Sequence, residues 1–434
     1  MTFPLQFFHY KNGILSSEGI PLTDIAKRTG TPVYVYSTEA FLNPLRQFQE
    51  GLKDVHHLIC FAVKANSNIS VLRLLAREGA GMDLVSGGEL VRAEKANVAP
   101  QKIVFSGVGK TAEEMKLALH YQSQGIYCFN VESLAELTLL NEVALSLNLK
   151  APVALRFNPD VDPKTHPYIS TGLKKNKFGI QKSEIFSVVQ SLNQFKGIQL
   201  KGLSIHIGSQ LLSLSPLDDA FKRVGLLLQD LDPLLQKPLE FLDLGGGIGI
   251  TYHQEKAPSI SKYCQLIQKH FRKRLQADPK FKILIEPGRT ISGNAGVLLS
   301  TVIYRKERKD KDFLVVDAAM NDLLRPALYE SYHEIIPVKQ TAQTKARVPA
   351  KTLIKTSIVG PVCESSDCFA SNRPFPKDLK PGDLVAILSA GAYGFSMASN
   401  YNSRPRPPEV LIDQGEFKIV RRRETYEDLT RGED

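Results

Sequence analysis

Between residues 57 and 286 the chain repeats one unit eight times: a short apolar run that ends in a polar residue or a glycine, then a helix-like segment or a loop. The runs end near Lys64, Asp83, Ser106, Asn130, Asn158, His206, Gly245 and Glu286. His57-Leu-Ile-Cys-Phe-Ala-Val63 sets the type, nearly all apolar, as expected of a strand buried on both faces. Helical periodicity occupies segments such as Ile69 to Glu78, the short Gly88 to Ala96, Ala112 to Tyr121, Glu132 to Leu147 and Leu217 to Leu235. Eight such units in roughly 250 residues predict an α/β fold, a (β/α)8 barrel of the TIM type. An open doubly wound sheet would more often show about five or six strands and a Gly-x-Gly-x-x-Gly turn after the first, and no such turn follows strand one.

The flanks read differently. Phe7 to Tyr10, a turn at Asn12-Gly13 and Ile14-Leu15 suggest short strands, and Thr31 to Tyr36 another. Ser37 is placed to cap a helix from Thr38 to about Leu52. Beyond residue 295 strand patterns dominate, at Val297 to Ile303, Phe313 to Val316, Leu353 to Val359, Leu384 to Leu388 and Phe417 to Val420. The patterns therefore place N-terminal strands at 1–36, the barrel at 37–294 and a mainly β C-terminal domain at 295–421. Lys339 to Lys351 reads as a polar surface loop, and the charged tail 422–434 is expected to fray.

Composition removes several classes of function. No apolar run approaches the roughly 20 residues of a membrane span. The N-terminus lacks a basic and apolar leader, so cytoplasmic residence is expected. Five cysteines form an odd set without a CxxC pair or matching histidine spacing, which predicts reduced thiols and no metal site. The net charge of +10 would permit nucleic-acid binding, but the basic residues are scattered and no nucleic-acid module is present.

The strand ends carry the chemistry. Lys64, Asp83, Arg156, His206 with Ser209, Asp243 before Gly245-Gly246-Gly247, and Glu286 with Arg289 all fall at or just past carboxyl ends, the face on which barrel enzymes build their sites. On position alone Lys64 is either a surface lysine at a strand end or an amine kept for attack on a carbonyl. The triple glycine is either a tight turn or a loop whose backbone N–H groups can approach an anion. Its place after the seventh strand, with Pro287-Gly288-Arg289 after the eighth, favours a phosphate-bearing ligand. His206 alternates with apolar neighbours and should point into the barrel mouth, and Glu286 is a carboxylate that only a partner could justify there. A reactive lysine, a phosphate cradle, a ring to stack and a carboxylate for a pyridine nitrogen together suggest pyridoxal phosphate.

Longer motifs narrow this further: Ala62-Val-Lys-Ala-Asn-Ser67, Asp83-Leu-Val-Ser-Gly-Gly-Glu89, His206-Ile-Gly-Ser209, Gly245-Gly-Gly247, Glu286-Pro-Gly-Arg289, Asn321-Asp-Leu-Leu-Arg-Pro-Ala-Leu-Tyr329, Gly360-Pro-Val-Cys-Glu-Ser-Ser-Asp367 and Gly391-Ala-Tyr393. With these motifs the chain resembles the diaminopimelate decarboxylases, pyridoxal-phosphate enzymes of the alanine-racemase-like barrel group and of the class-II ornithine, lysine and arginine decarboxylases. The likeness covers almost the whole chain, and it implies that the N-terminal strands join the C-terminal β domain. It implies that Lys64 carries the cofactor, that His206 stacks on its ring and that Glu286 faces the pyridine nitrogen. It implies a wider cofactor set of Asp83, Ser209, Gly246, Gly247, Pro287, Gly288, Arg289 and Tyr393. Arg289, Arg325, Tyr329, Glu364 and Tyr393 would meet the substrate, and Cys363 would protonate the α-carbon.

The resemblance further implies decarboxylation of meso-2,6-diaminopimelate to L-lysine and CO2, the last step of lysine biosynthesis, in a homodimer whose two sites are shared through Cys363. Two arginines and Glu364 suit a substrate with a distal amino-carboxylate end. Enzymes of the group that act on ornithine, arginine, lysine or carboxynorspermidine are the rival reading. A cofactor-storing barrel without turnover would lack the β domain. Phe61, where the family often has Tyr, and Met82, where a smaller residue is common, remove no functional group. His166 to Gly179, with three lysines, is either a basic loop over the barrel mouth or a solvated charge run.

Overall fold

The structure, a computed structural model, describes residues 6–162, 176–309, 311–340 and 353–433. Most of the expected His166–Gly179 loop, and Lys339–Lys351 beyond residue 340, lie outside those bounds. The chain forms two compact units: Asn43–Ile250 with Lys256–Thr290, and Met1–Leu42 with Thr251–Glu255 and Ile291–Asp434.

The first unit is a closed barrel of eight parallel strands: His57–Ala62, Gly81–Leu84, Ile103–Phe105, Cys128–Val131, Ala151–Arg156, Ile198–Ser204, Phe241–Asp243 and Lys282–Ile285. Each pairs with the next in the chain, and Ile283 opposite His57 closes the ring. The barrel expected from the alternation is therefore the fold observed. Its interior is filled by Leu58, Cys60, Val104, Tyr127, Cys128, Ala154, Phe241 and Leu284, with the Tyr127 and Phe241 rings 5.3 Å apart. This plug leaves the carboxyl ends of the strands as the open face, where the loops diverge.

The helix Thr38–Gly51 starts where expected, with the Ser37 hydroxyl accepting the Ala40 N–H at 3.1 Å, and side chains cap the helices that follow. Asn68 caps Ile69–Arg77 by accepting from the Ser70 N–H, Ser86 caps Gly87–Lys95, and Ser133 caps Leu134–Ser146. Thr111 and Glu114 form a reciprocal capping box on Ala112–Leu119.

In the second unit a sheet runs in the order Cys368–Pro376, Leu353–Val359, Asp312–Val316, Gly296–Glu307, Val33–Ser37, Glu409–Asp413, Glu416–Arg421, and Leu384–Ile387 and Ile335–Pro337 branch from the long Gly296–Glu307 strand. Val33–Ser37 thus sits at the centre of a sheet otherwise made by the C-terminal part. Phe8, Leu15, Leu22, Ile25, Val33 and Val35 share one core with Val297, Leu299, Ala386 and Val410.

Three features depart from expectation. Leu22–Thr29 is a helix, not loop between strands; its two turns bury Leu22 and Ile25, too short a stretch for a clear 3.6-residue period. Cys368–Pro376 is a strand despite two prolines, tolerated because it is the sheet's edge. The tail is tied down instead of frayed: Arg406 and Asn400 hold Glu424, Arg422 pairs with Asp428, and Thr425 caps a final turn at Tyr426–Leu429. No helix among the described residues is long and apolar enough to cross a membrane.

Candidate active site

Lys64 leaves the first barrel strand on a single 3-10 turn, Val63–Ala65. The asparagines after it serve the turn: Asn66 accepts from the Asn68 N–H at 3.1 Å, and Asn68 starts the next helix. Asp83 stands opposite Ala62 in the neighbouring strand, fully buried, and its Oδ2 lies 2.9 Å from Lys64 Nζ. Its other oxygen, Oδ1, is buried without a partner among the described residues.

Across the mouth, Asn130 at the end of the fourth strand ties two further carboxyls together. Its Nδ2 donates to Asp243 Oδ2 at 2.9 Å, to Glu286 Oε1 at 3.2 Å and to Ser106 Oγ at 3.1 Å. Asp243 also accepts the Gly245 N–H at 2.9 Å, and Asp243 and Glu286 are hydrogen-bonded to each other. Burial, then the charges of Asp243 and Asp83, push Glu286 well above the usual carboxylate range. Burial raises Asp243 too, while the bond from Glu286 opposes the rise. The pair is thus too crowded for both carboxyls to carry a charge, and a proton is shared between them. Neither Asn130 nor the bridging part played by Asp243 and Ser106 was assigned from the sequence, although all three close apolar runs. What was missing was the pairing across the barrel, which no local pattern encodes.

The glycine loop is built for close packing. A Cβ at Gly245 would meet the Ile205 carbonyl oxygen at 2.4 Å, and one at Gly246 the Glu286 carbonyl oxygen at 2.2 Å. Two of its three amides are already used, Gly245 on Asp243 and Gly246 on His206 Nδ1 at 3.2 Å. The Gly247 N–H, at φ 120°, has no acceptor among the described residues. The loop after the sixth strand is zipped alongside, with Leu211 donating to the Gly247 carbonyl at 2.9 Å, and this places Ser209. Arg289 Nε and Nη2 reach Ser209 Oγ at 3.3 and 3.2 Å. The Pro287 carbonyl accepts the Ala62 N–H at 3.2 Å, which sets the Pro287-Gly288 turn beside the strand leading to Lys64.

Because His206 Nδ1 accepts from Gly246, the ring carries its proton on Nε2. Burial, then the charges of Arg156 and Lys64, hold it well below the ordinary histidine range, so it is a neutral ring. Arg156 is itself held by Glu132 at 2.6 Å and donates to the His206 carbonyl at 3.4 Å.

Burial pushes Glu89 up to about 7, opposed by the Val85 N–H that it accepts at 2.8 Å and by Lys64. A carboxyl raised in the folded state binds a proton there that the unfolded chain, with a value near 4.3, has already lost. Its contribution is therefore present at low pH and lost as pH rises through about 7. Glu89→Gln apoprotein should lose roughly 2–3 kcal/mol less stability than the native apoprotein between pH 5 and 8, read from denaturant midpoints. Equal pH slopes would contradict this.

In the other unit Arg325 opens the short helix Arg325–Tyr329 and is buried. Its Nη1 donates to His333 Nε2 at 2.8 Å, its Nη2 to Ser331 Oγ at 3.2 Å, and its guanidinium lies 4.7 Å from the centre of the Tyr252 ring. Tyr329 ends the same helix and is half-buried. Tyr393 sits at φ 54° in the turn that follows Leu384–Ile387. Cys363 and Glu364 are exposed on the loop between Leu353–Val359 and Cys368–Pro376. Asp367 braces that loop by accepting the Met320 and Val362 N–H groups at 2.7 and 2.8 Å, and Asn402 accepts the Cys363 N–H at 2.9 Å. Bonds from Ser366 and Tyr401 hold the Glu364 carboxyl below its ordinary value.

The barrel set fits pyridoxal phosphate. Three buried carboxyls face one lysine, so a pyridinium N–H at Glu286 would relieve their crowding. Arg289, Ser209 and Gly247 offer a cation, a hydroxyl and an amide suited to a phosphate. No cluster of metal-ligating groups exists among the described residues.

Barrel, lysine and carboxyl cluster define a pyridoxal-phosphate enzyme. Residues 39–293 match the family model "Pyridoxal-dependent decarboxylase, pyridoxal binding domain". The diaminopimelate decarboxylase of Pseudomonas aeruginosa is 47% identical over 98% of each chain. The crystal structure of the Helicobacter pylori enzyme with L-lysine is 40% identical, covers 94% of this chain and 98% of its own, and superposes with a TM-score of 0.87. The M. jannaschii enzyme with L-lysine is 37% identical over 100% and 99% of the two chains, at a TM-score of 0.91. The chain belongs to the diaminopimelate decarboxylases, pyridoxal-phosphate-dependent carboxy-lyases.

Proposed function

We propose that this chain converts meso-2,6-diaminopimelate to L-lysine and CO2, closing lysine biosynthesis, in the cytoplasm and as a homodimer with shared sites. The observation that carries the chemistry is the Glu286–Asp243 carboxyl pair, bridged by Asn130 and set at the same barrel mouth as the Lys64–Asp83 ion pair. The substrate is supported by relatives of that name along the full length. Bound pyridoxal phosphate supplies an electron sink for the carbon that loses CO2.

The chain's residues do the rest. Lys64 would hold the cofactor, and Asp83, 2.9 Å from Nζ, would keep the ammonium in place whenever the lysine is unlinked. Glu286, its carboxyl fixed by Asn130, would face the pyridine nitrogen and hold a proton there. His206, neutral, can lie against the ring without adding a charge that would oppose electron withdrawal. Arg289, Ser209 and Gly247 serve the phosphate. Arg289, Arg325, Tyr329, Glu364 and Tyr393 receive the substrate, and Cys363 delivers the proton that replaces CO2 on the α-carbon. The test is release of CO2 and L-lysine from meso-diaminopimelate by purified protein with pyridoxal phosphate, with the absorbance spectrum changing on substrate addition. Release from ornithine or arginine instead would overturn the substrate.

A further inference from the structure

His333 is fully buried in the strand-leading segment after Arg325–Tyr329, and the roles above leave it without one. Its Nδ1 lies 2.8 Å from the Leu388 carbonyl oxygen. A carbonyl only accepts, so Nδ1 bears the ring proton. Its Nε2 lies 2.8 Å from Arg325 Nη1, and a guanidinium only donates, so Nε2 is the bare acceptor. The two neighbours thus select one neutral tautomer, because a proton on Nε2 would point at a cation. Arg373 donates to the His333 carbonyl, and the Tyr252 ring stands edge-on to the imidazole at 5.3 Å while facing the Arg325 guanidinium at 4.7 Å. Glu334 and Tyr332 flank His333 in sequence and hydrogen-bond to each other. His333, Ser331 and Tyr252 therefore fix the guanidinium in two hydrogen-bonding directions and against one face.

We propose that His333 is a positioning residue for substrate recognition: its neutral imidazole orients Arg325 so that the guanidinium meets the carboxylate that the reaction leaves in place. The inference rests on Arg325 being a substrate contact. Its chemistry is that of a hydrogen bond to a charged group, which constrains direction more than it adds charge. Such a residue changes affinity for ligands that keep the carboxylate and leaves those without it alone.

The experiment uses holoenzyme and two inhibitors, L-lysine and cadaverine, which differ by that carboxylate. His333→Phe should weaken L-lysine inhibition and raise KM for meso-diaminopimelate by about 10- to 100-fold, with cadaverine inhibition unchanged and kcat within about threefold. His333→Gln, which can present an acceptor to Arg325 and a donor to Leu388, should recover most of the loss. Equal weakening of both inhibitors, or none, overturns the proposal. Arg325→Met separates the premise: if it leaves L-lysine inhibition unchanged, Arg325 is no substrate contact, whereas an effect of Arg325→Met without one of His333→Phe sinks only the positioning claim. Should His333→Phe fail to fold, the native protein still decides, since 15N shifts of labelled histidine must show His333 neutral with its proton on Nδ1. A proton on Nε2 refutes the arrangement.

Discussion

Lys64→Ala should lower turnover on the order of 10³-fold or more and abolish the absorbance of lysine-linked cofactor. Two effects are mixed in that variant, and the geometry allows them to be separated. Lys64 Nζ is the cation beside Asp83, in a mouth that also holds Asp243 and Glu286. Its removal leaves Asp83 buried and uncompensated, and because the lysine is 38% exposed the cost is about 1–3 kcal/mol, less than for a fully buried pair. Lys64→Arg restores a cation near Asp83, but a guanidinium keeps its proton and cannot link to a carbonyl. The arginine variant should therefore regain most of the apoprotein's stability while staying as inactive as Lys64→Ala. Appreciable turnover in Lys64→Arg would show that the covalent link is dispensable.

The barrel was legible in the sequence because a parallel strand buried on both faces writes itself as an uninterrupted apolar run, and the polar residue ending each run marks the open face. Lys64, Asp83, His206 and Glu286 could be placed on that face without knowing which strands touch. What pairs across the mouth could not be read, since Asn130, Asp243 and Glu286 are brought together only by closure of the ring. The glycine loop shows a subtler limit. Its three glycines suggest three amides for an anion, yet Gly245 and Gly246 spend theirs on Asp243 and His206, and the missing side chains make room for neighbouring backbone. In the β unit, Val33–Ser37 pairs with Gly296–Glu307 and Glu409–Asp413, contacts so distant in sequence that only the resemblance suggested them. The helix Leu22–Thr29 and the proline-bearing edge strand escaped because short or edge elements carry weak periodicity.

Cys363→Ala should reduce kcat by about 10²- to 10⁴-fold, the span of a lost general acid, while the bound cofactor keeps its spectrum. The reason to look beyond one chain lies in the loop itself. Asp367 and Asn402 hold residues 360–363 in a defined turn, yet that turn presents Cys363 and Glu364 to solvent. A braced loop with an exposed thiol and a carboxylate has the form of a part made to enter another surface, and a proton donor at a carbanion must be shielded from water. In a twofold dimer each loop would complete the partner's barrel. Co-expression of Lys64→Ala and Cys363→Ala chains tests this directly, since each parent alone is nearly inactive. Random pairing makes half the dimers mixed, and a mixed dimer has one site with both native residues, so activity should return to about a quarter of native. If Lys64 and Cys363 instead served the same chain's site, every site in the mixture would lack one of them and no activity would return.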